Sequence, residues 1–94
     1  MTATPSGRMR QTILDLLKDP AAHFPAARRD VAEAGVTARA VAAELGLPRR
    51  TALAHLTFLT RLGLLRTRRV RCRTRYRRDE VRIAEVARFF EKGW

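Results

Sequence analysis

The sequence predicts a mainly α-helical domain carrying one small two-stranded antiparallel hairpin, in the order α-α-α-α-β-β-α: a winged helix-turn-helix. Three observations predict it. Leu45-Gly46-Leu47 separates a short helical stretch, Ala38 to Leu45, from a longer one that runs to about Leu62. After Gly63 the apolar period changes from that of a helix to the two-residue repeat of a strand. Nine arginines then fall between Arg61 and Arg78 with no acid until Asp79, so a cationic ribbon stands next to the long helix.

Each element has its own local reason. Residues 1–7 are small and polar and read as a flexible N-terminal arm; residues 8–94 read as one winged-helix domain for DNA binding and dimerisation. Met9, Ile13, Leu16 and Leu17 recur at helical spacing, and Asp19-Pro20 closes that helix. Leu14 lies off the stripe and is a candidate for contact with a second subunit. Residues 20–36 form a proline-containing connection, with a short helix near Arg29–Ala34 ended by Gly35. Thr37 is a good N-cap for the next helix, and Gly46 its C-terminal stop. Leu47 is the apolar residue of the turn, and Pro48 sits where a missing N–H costs nothing. Ala52, Leu56 and Leu59 make the buried stripe of the long helix, and Gly63 stops it. In the ribbon, Val70, Cys72, Thr74 and Tyr76 alternate with Arg71, Arg73, Arg75 and Arg77. The first set is expected to face inward and the arginines outward. The turn near Arg69–Arg73 lacks Asn-Gly or any glycine, which predicts a longer, mobile loop. Asp79 is a plausible N-cap for the last helix, where Ile83, Val86, Ala87, Phe90 and Trp94 form a wide apolar face.

The formal net charge is +11, with lysine only at positions 18 and 92. A polyanion is the expected partner, because each neutralised phosphate releases condensed counterions. Arginine forks suit phosphates and guanine edges. Hydrophobic residues make up 46% of the chain, too many for a disordered basic tail. A single cysteine excludes an internal disulfide and fits a reducing compartment. No apolar run approaches a membrane span and no signal core precedes the first helix, so a cytoplasmic, nucleoid-associated protein is expected.

The run LGLPRRTALAHLTFLTRLGLL, the basic strand after it and Tyr76-Arg77-Arg78-Asp79 together resemble the ArsR/SmtB-type winged-helix repressors of bacteria. The opening ILDLLKDPAAHFP resembles the first helix and loop of one branch of that family. The resemblance covers about residues 8–92. It implies a homodimeric repressor of transcription bound to double-stranded DNA, with first and last helices paired across the two-fold axis. Ile13, Leu14, Leu17, Val86, Phe89, Phe90 and Trp94 are the implied dimer contacts. One recognition helix from each subunit would enter successive major grooves. This chain also departs from the family pattern. Pro48 replaces a serine cap, and Leu53 and Ala54 stand where polar base-reading residues are common. Direct readout is then expected to shift to Arg49, Arg50, Thr51 and His55, with Leu53 against a thymine methyl. The metal-sensing sites of the family do not transfer: the helix before the turn has no cysteine, and Asp79–Trp94 has no histidine.

The candidate DNA-binding residues are Arg49, Arg50, Thr51, Leu53, Ala54, His55, Thr57 and Arg61 on the long helix. On the wing they are Arg66, Arg68, Arg69, Arg71, Arg73 and Arg75, with Arg77 and Arg78 in the same cationic run. His55 reads equally as a phosphate donor or a packed side chain. His23 reads as an inert loop residue. Cys72 reads as a small apolar filler or, between Arg71 and Arg73, as a redox-sensitive thiolate. One cysteine and two distant histidines do not make a tetrahedral zinc site within one chain. Phe89, Phe90 and Trp94 read as dimer core or as the lining of a pocket between subunits. No catalytic residue and no cofactor is expected: there is no Gly-rich phosphate loop, paired buried carboxylates or nucleophile–histidine motif. Two rival classes stand beside the regulator, a sequence-tolerant architectural DNA- or RNA-binding protein and an interaction module that no longer reads DNA.

Overall fold

The structure, a computed structural model, describes residues 5–91, and side chains from 6 to 89. The expectations placed on Trp94 and on the side chain of Phe90 lie outside the described residues. Six helices and three strands follow in order: α1 (Pro5–Lys18), α2 (Pro20–His23), a single 3₁₀ turn (Pro25–Ala27), α3 (Arg28–Ala34), β1 (Val36–Thr37), α4 (Ala38–Leu45), α5 (Arg49–Arg61), β2 (Leu65–Val70), β3 (Arg73–Arg78) and α6 (Glu80–Glu91).

Local chemistry sets most boundaries. Thr37 caps α4: its hydroxyl oxygen accepts from the Ala40 N–H at 3.1 Å. Gly46 adopts φ +66 at the other end, and the Leu47 N–H closes the turn onto the Ala42 carbonyl at 2.9 Å. The chain then re-enters a helix after Pro48, which completes the helix-turn-helix. Gly63, at φ +80, turns α5 into the wing. The Asp79 carboxylate caps α6 by accepting from the Arg82 N–H at 3.0 Å.

The core lies between these elements. Ile13, Leu16 and Leu17 of α1 meet Val31, Val36, Val41 and Ala42, Ala52, Leu56 and Leu59 of α5, Leu65 and Tyr76, all buried. Full burial of a side chain such as Leu56 contributes roughly 1.5–3 kcal/mol. The expected α5 stripe is therefore the one observed. Ile13 and Leu17 were expected at a dimer contact; both are used up in the core of the single chain, at 0% and 4% exposure. Leu14 is half-buried and packs against the same core. Among the described residues none of the last helix belongs to the core, and the helix packs only lightly on the rest; the principal extents are 42 × 26 × 23 Å.

The sheet departs from expectation in four ways. It has three strands, in the order β1-β3-β2, because Val36 and Thr37 pair antiparallel with Tyr76 and Arg75 before α4 begins. The wing turn is tight rather than a longer loop. Val70 pairs with Arg73, and only Arg71 and Cys72 lie between them, at φ +50 and +66. Positive φ at both central residues matches the right-handed twist of the strands it joins, so the hairpin closes in this form even without glycine. Cys72 consequently sits exposed at the tip and not on the inward face. The arginine row is also not uniformly free. Arg75 reaches over β1 to donate to the Gly35 carbonyl and to the Asp30 carboxylate, both at 2.9 Å, and its side chain is only 17% exposed. Arg77 donates to the Glu33 carbonyl at 3.4 Å. The two guanidiniums satisfy carbonyls at the C-terminal end of α3, where cations are favoured.

Candidate nucleic-acid interface

The buried stripe of α5 fixes what its outer face presents. At 100° per residue, Arg50, Ala54, Thr57 and Arg61 lie opposite Ala52, Leu56 and Leu59 and form the outward centre. Arg50, Ala54 and Arg61 are exposed and Thr57 is half-exposed. Arg49 and Leu53 stand on the edge towards the wing. Thr51, His55 and Phe58 stand on the other edge, towards α1. The sequence-predicted residues of this helix are thus divided between three strips.

The wing-side edge opens into a groove of about 280 Å³ lined by Thr37, Ala38, Arg39, Arg49, Leu53, Arg73, Thr74 and Tyr76. Three arginines from three elements (Arg39 of α4, Arg49 of α5 and Arg73 of β3) border this one concavity. The first turn of α4 ends in it, and α5 begins beside it with no side-chain cap of its own. Helix N-termini and arginines favour the same ligand, an oxyanion. Arg39 escaped the sequence reading. Its signal was its position in the first turn after the Thr37 cap, next to the turn that sets α5.

The α1-side edge is built differently. The Arg10 guanidinium of α1 lies 3.6 Å from the centroid of the Phe58 ring, a cation–π contact. His55 is half-buried beside it. Burial, and then the Arg10 charge, lower its pKa from the ordinary 6.5. The neutral imidazole, which keeps one N–H donor, is favoured there. Arg10 was also missed, since nothing in its spacing points to Phe58, 48 positions away.

On the wing, pleating sorts the residues onto two faces. Leu65, Thr67, Arg69, Thr74, Tyr76 and Arg78 share the face towards the core. There Arg78 donates to the Leu14 carbonyl at 2.9 Å and pairs with Glu80 at 3.0 Å. Arg66, Arg68, Arg73, Arg75 and Arg77 share the opposite face with Val70, which pairs with Arg73 and was expected to face inward, and Arg71 lies at the tip. Arg66 stands 3.6 Å from Asp79 and is 75% exposed.

A helix-turn-helix with a hydrogen-bonded wing and a cationic groove between them defines a winged helix-turn-helix protein. No family model matches the chain. The chain is similar to a protein of Bacillus subtilis (strain 168), described as an uncharacterized HTH-type transcriptional regulator, YbzH. The two are 36% identical over 87 residues, which cover 92% of this chain and 87% of the relative. The chain belongs to the HTH-type transcriptional regulators, a class of regulators and not of enzymes. No helix among the described residues is long and apolar enough to cross a membrane.

Proposed function

We propose that this protein is a homodimeric, cytoplasmic transcriptional repressor of the ArsR/SmtB-like type that binds double-stranded DNA in a sequence-specific way. The observation that carries the reading is the groove where Arg39, Arg49 and Arg73 meet beside the outward strip of Arg50, Thr57 and Arg61. The outward strip enters the major groove. Arg50 and Arg61 lie at its centre and are the candidates for base edges, where a bidentate arginine–guanine pair adds roughly 1–3 kcal/mol of discrimination. Leu53 and Ala54 offer apolar contact to thymine methyl groups. Arg39, Arg49, Arg69, Arg71 and Arg73 hold phosphates on the wing side and fix the register. Dimerisation is supported by α6, whose Ile83, Val86 and Ala87 face is not used by the core.

The test is a fluorescence-anisotropy titration comparing duplex from the region upstream of the protein's own gene with a shuffled duplex, at one salt concentration. A preference of about a thousandfold or more supports a specific regulator. The Arg50→Ala/Arg61→Ala variant is expected to lose that preference and keep most non-specific affinity; an unchanged preference would refute the role given to α5. One observation favours a second reading. Exposed Leu53 and Ala54 leave the recognition face short of polar readers, as in a sequence-tolerant architectural protein. Equal, strongly salt-dependent binding to both duplexes would decide for it.

A further inference from the structure

We propose that the wing has a second phosphate-binding surface, its outer face, which engages duplex beyond the stretch covered by α5. The inference rests on the reading of α5 as the DNA-facing helix and extends it. Register and pleat carry it. Arg66 pairs with Arg77 and Arg68 with Arg75, directly across the two strands. Like charges in that arrangement are destabilising by themselves. Arg73 continues the row towards the tip. Five guanidinium side chains therefore share one side of a hairpin whose strands are six residues each. This side is opposite the one that buries Leu65 and Tyr76 against the core containing α5. Arg73, at the tip end, also borders the groove beside Arg49 and Leu53, whereas Arg66, Arg68, Arg75 and Arg77 are not among the residues that line it.

The acids that meet this face, Asp30 and Asp79, stand at its margins. Arg75 and Arg77 are anchored to α3 and hold their charge in place. Arg68 and Arg73 have no acid partner among the described residues. Arg66 has only a long, exposed pair, which contributes little and exchanges readily for another anion. An open groove on the same side is lined by Asp30, Val70, Arg71, Arg73 and Arg75. Cross-strand rows repeat about every 7 Å along the hairpin. A duplex presents one phosphate per strand for every ~3.4 Å of its axis. Along the axis, successive rows thus fall at every second phosphate of a strand. Those phosphates belong either to the flanks of the duplex held by α5 or to a second duplex.

The experiment compares wild type with Arg66→Ala/Arg68→Ala, two exposed positions outside the α5 groove. Circular dichroism and binding to a short duplex verify the fold of the variant. The duplexes share one centre and span about two and about five helical turns. The readout is the slope of log affinity against log salt, which counts phosphate contacts and is insensitive to the larger number of sites on longer DNA. We expect a steeper wild-type slope on the long duplex, with the variant's slope reduced by about two there and unchanged on the short one. Energy transfer between two differently labelled short duplexes provides the other arm. Wild-type bridging that is lost in the variant would assign the face to a second duplex. No added slope and no bridging in wild type, or equal losses on both duplexes in the variant, would overturn the proposal. Failure of wild type to bind even the short duplex would instead remove the reading of α5 on which it stands.

Discussion

Arg71 and Cys72 form the whole of the wing turn, and both hold positive φ without being glycine. A left-handed residue with a Cβ costs roughly 1–2 kcal/mol, and Asn-Gly is the pair this turn prefers. Arg71→Asn/Cys72→Gly is therefore expected to stabilise the protein by about 1 kcal/mol, seen as a melting temperature several degrees higher. Gly35 is the opposite case. It holds φ +95, and an added Cβ would lie 2.7 Å from the Tyr76 carbonyl oxygen in the neighbouring strand. Gly35→Ala must either strain the backbone or open the β1–β3 pairing, and is expected to cost about 2–3 kcal/mol in urea unfolding. His55 supplies a pH dependence. Its folded pKa is below 6.5, so the unfolded chain takes up the proton first as pH falls. Stability should drop through the window between 6.5 and the lowered folded value, then level off. By NMR titration His55 should protonate below 6.5, and Arg10→Met should move its midpoint upwards; an unmoved midpoint would leave burial as the sole cause.

At the scale of elements, what could be read in the sequence was what local chemistry decides. Thr37, Gly46 and Gly63 announce caps and stops that depend only on their neighbours, and the Ala52, Leu56 and Leu59 stripe follows from period alone. Thr37→Ala should accordingly cost about 1 kcal/mol of stability in a denaturant titration, and Thr37→Ser should restore most of it. The misread features all depend on partners distant in the chain. Residues 36 and 37 become a strand only because β3 passes beside them, and two residues are too few to show a period. The alternation of the wing placed Arg75 outward, and the sheet does project it there. The fate of its charge was set by Asp30 and the end of α3, 45 and 40 positions away. The turn was expected near Arg69–Arg73 and lies there, but the strand alternation was carried through it to Cys72, which the two-residue turn places at the tip. The candidate site was legible to the same degree. The arginines of α5 and the wing were named, whereas their division into a groove set and an outer set needed the strand register. Arg39 and Arg10 join the surface only through packing.

For the whole molecule, α6 sets the remaining problem. Among the described residues the core includes none of α6, yet α6 presents Ile83, Val86 and Ala87 along one side and exposes Val81 and Phe89, at 71% and 56%. A helix this short is marginal in water unless an apolar face is packed. In the proposed homodimer that packing comes from a second copy, which adds apolar burial to a chain whose small size limits its own core. Folding and association are then linked, and stability depends on protein concentration by mass action. The melting temperature should rise with concentration across the range in which sedimentation velocity shows monomer giving way to dimer. Val86→Asp places a charge in the middle of the α6 face without touching the core. It should shift the equilibrium to monomer, remove the concentration dependence and leave the wing-to-core hydrogen bonds protected from exchange. The two recognition helices would no longer be held one helical turn apart, so affinity for a two-half-site duplex should fall towards that for a single half-site. A melting temperature independent of concentration in wild type, with a single monomeric species, would mean that α6 is packed some other way and that the dimeric part of the proposed function is wrong.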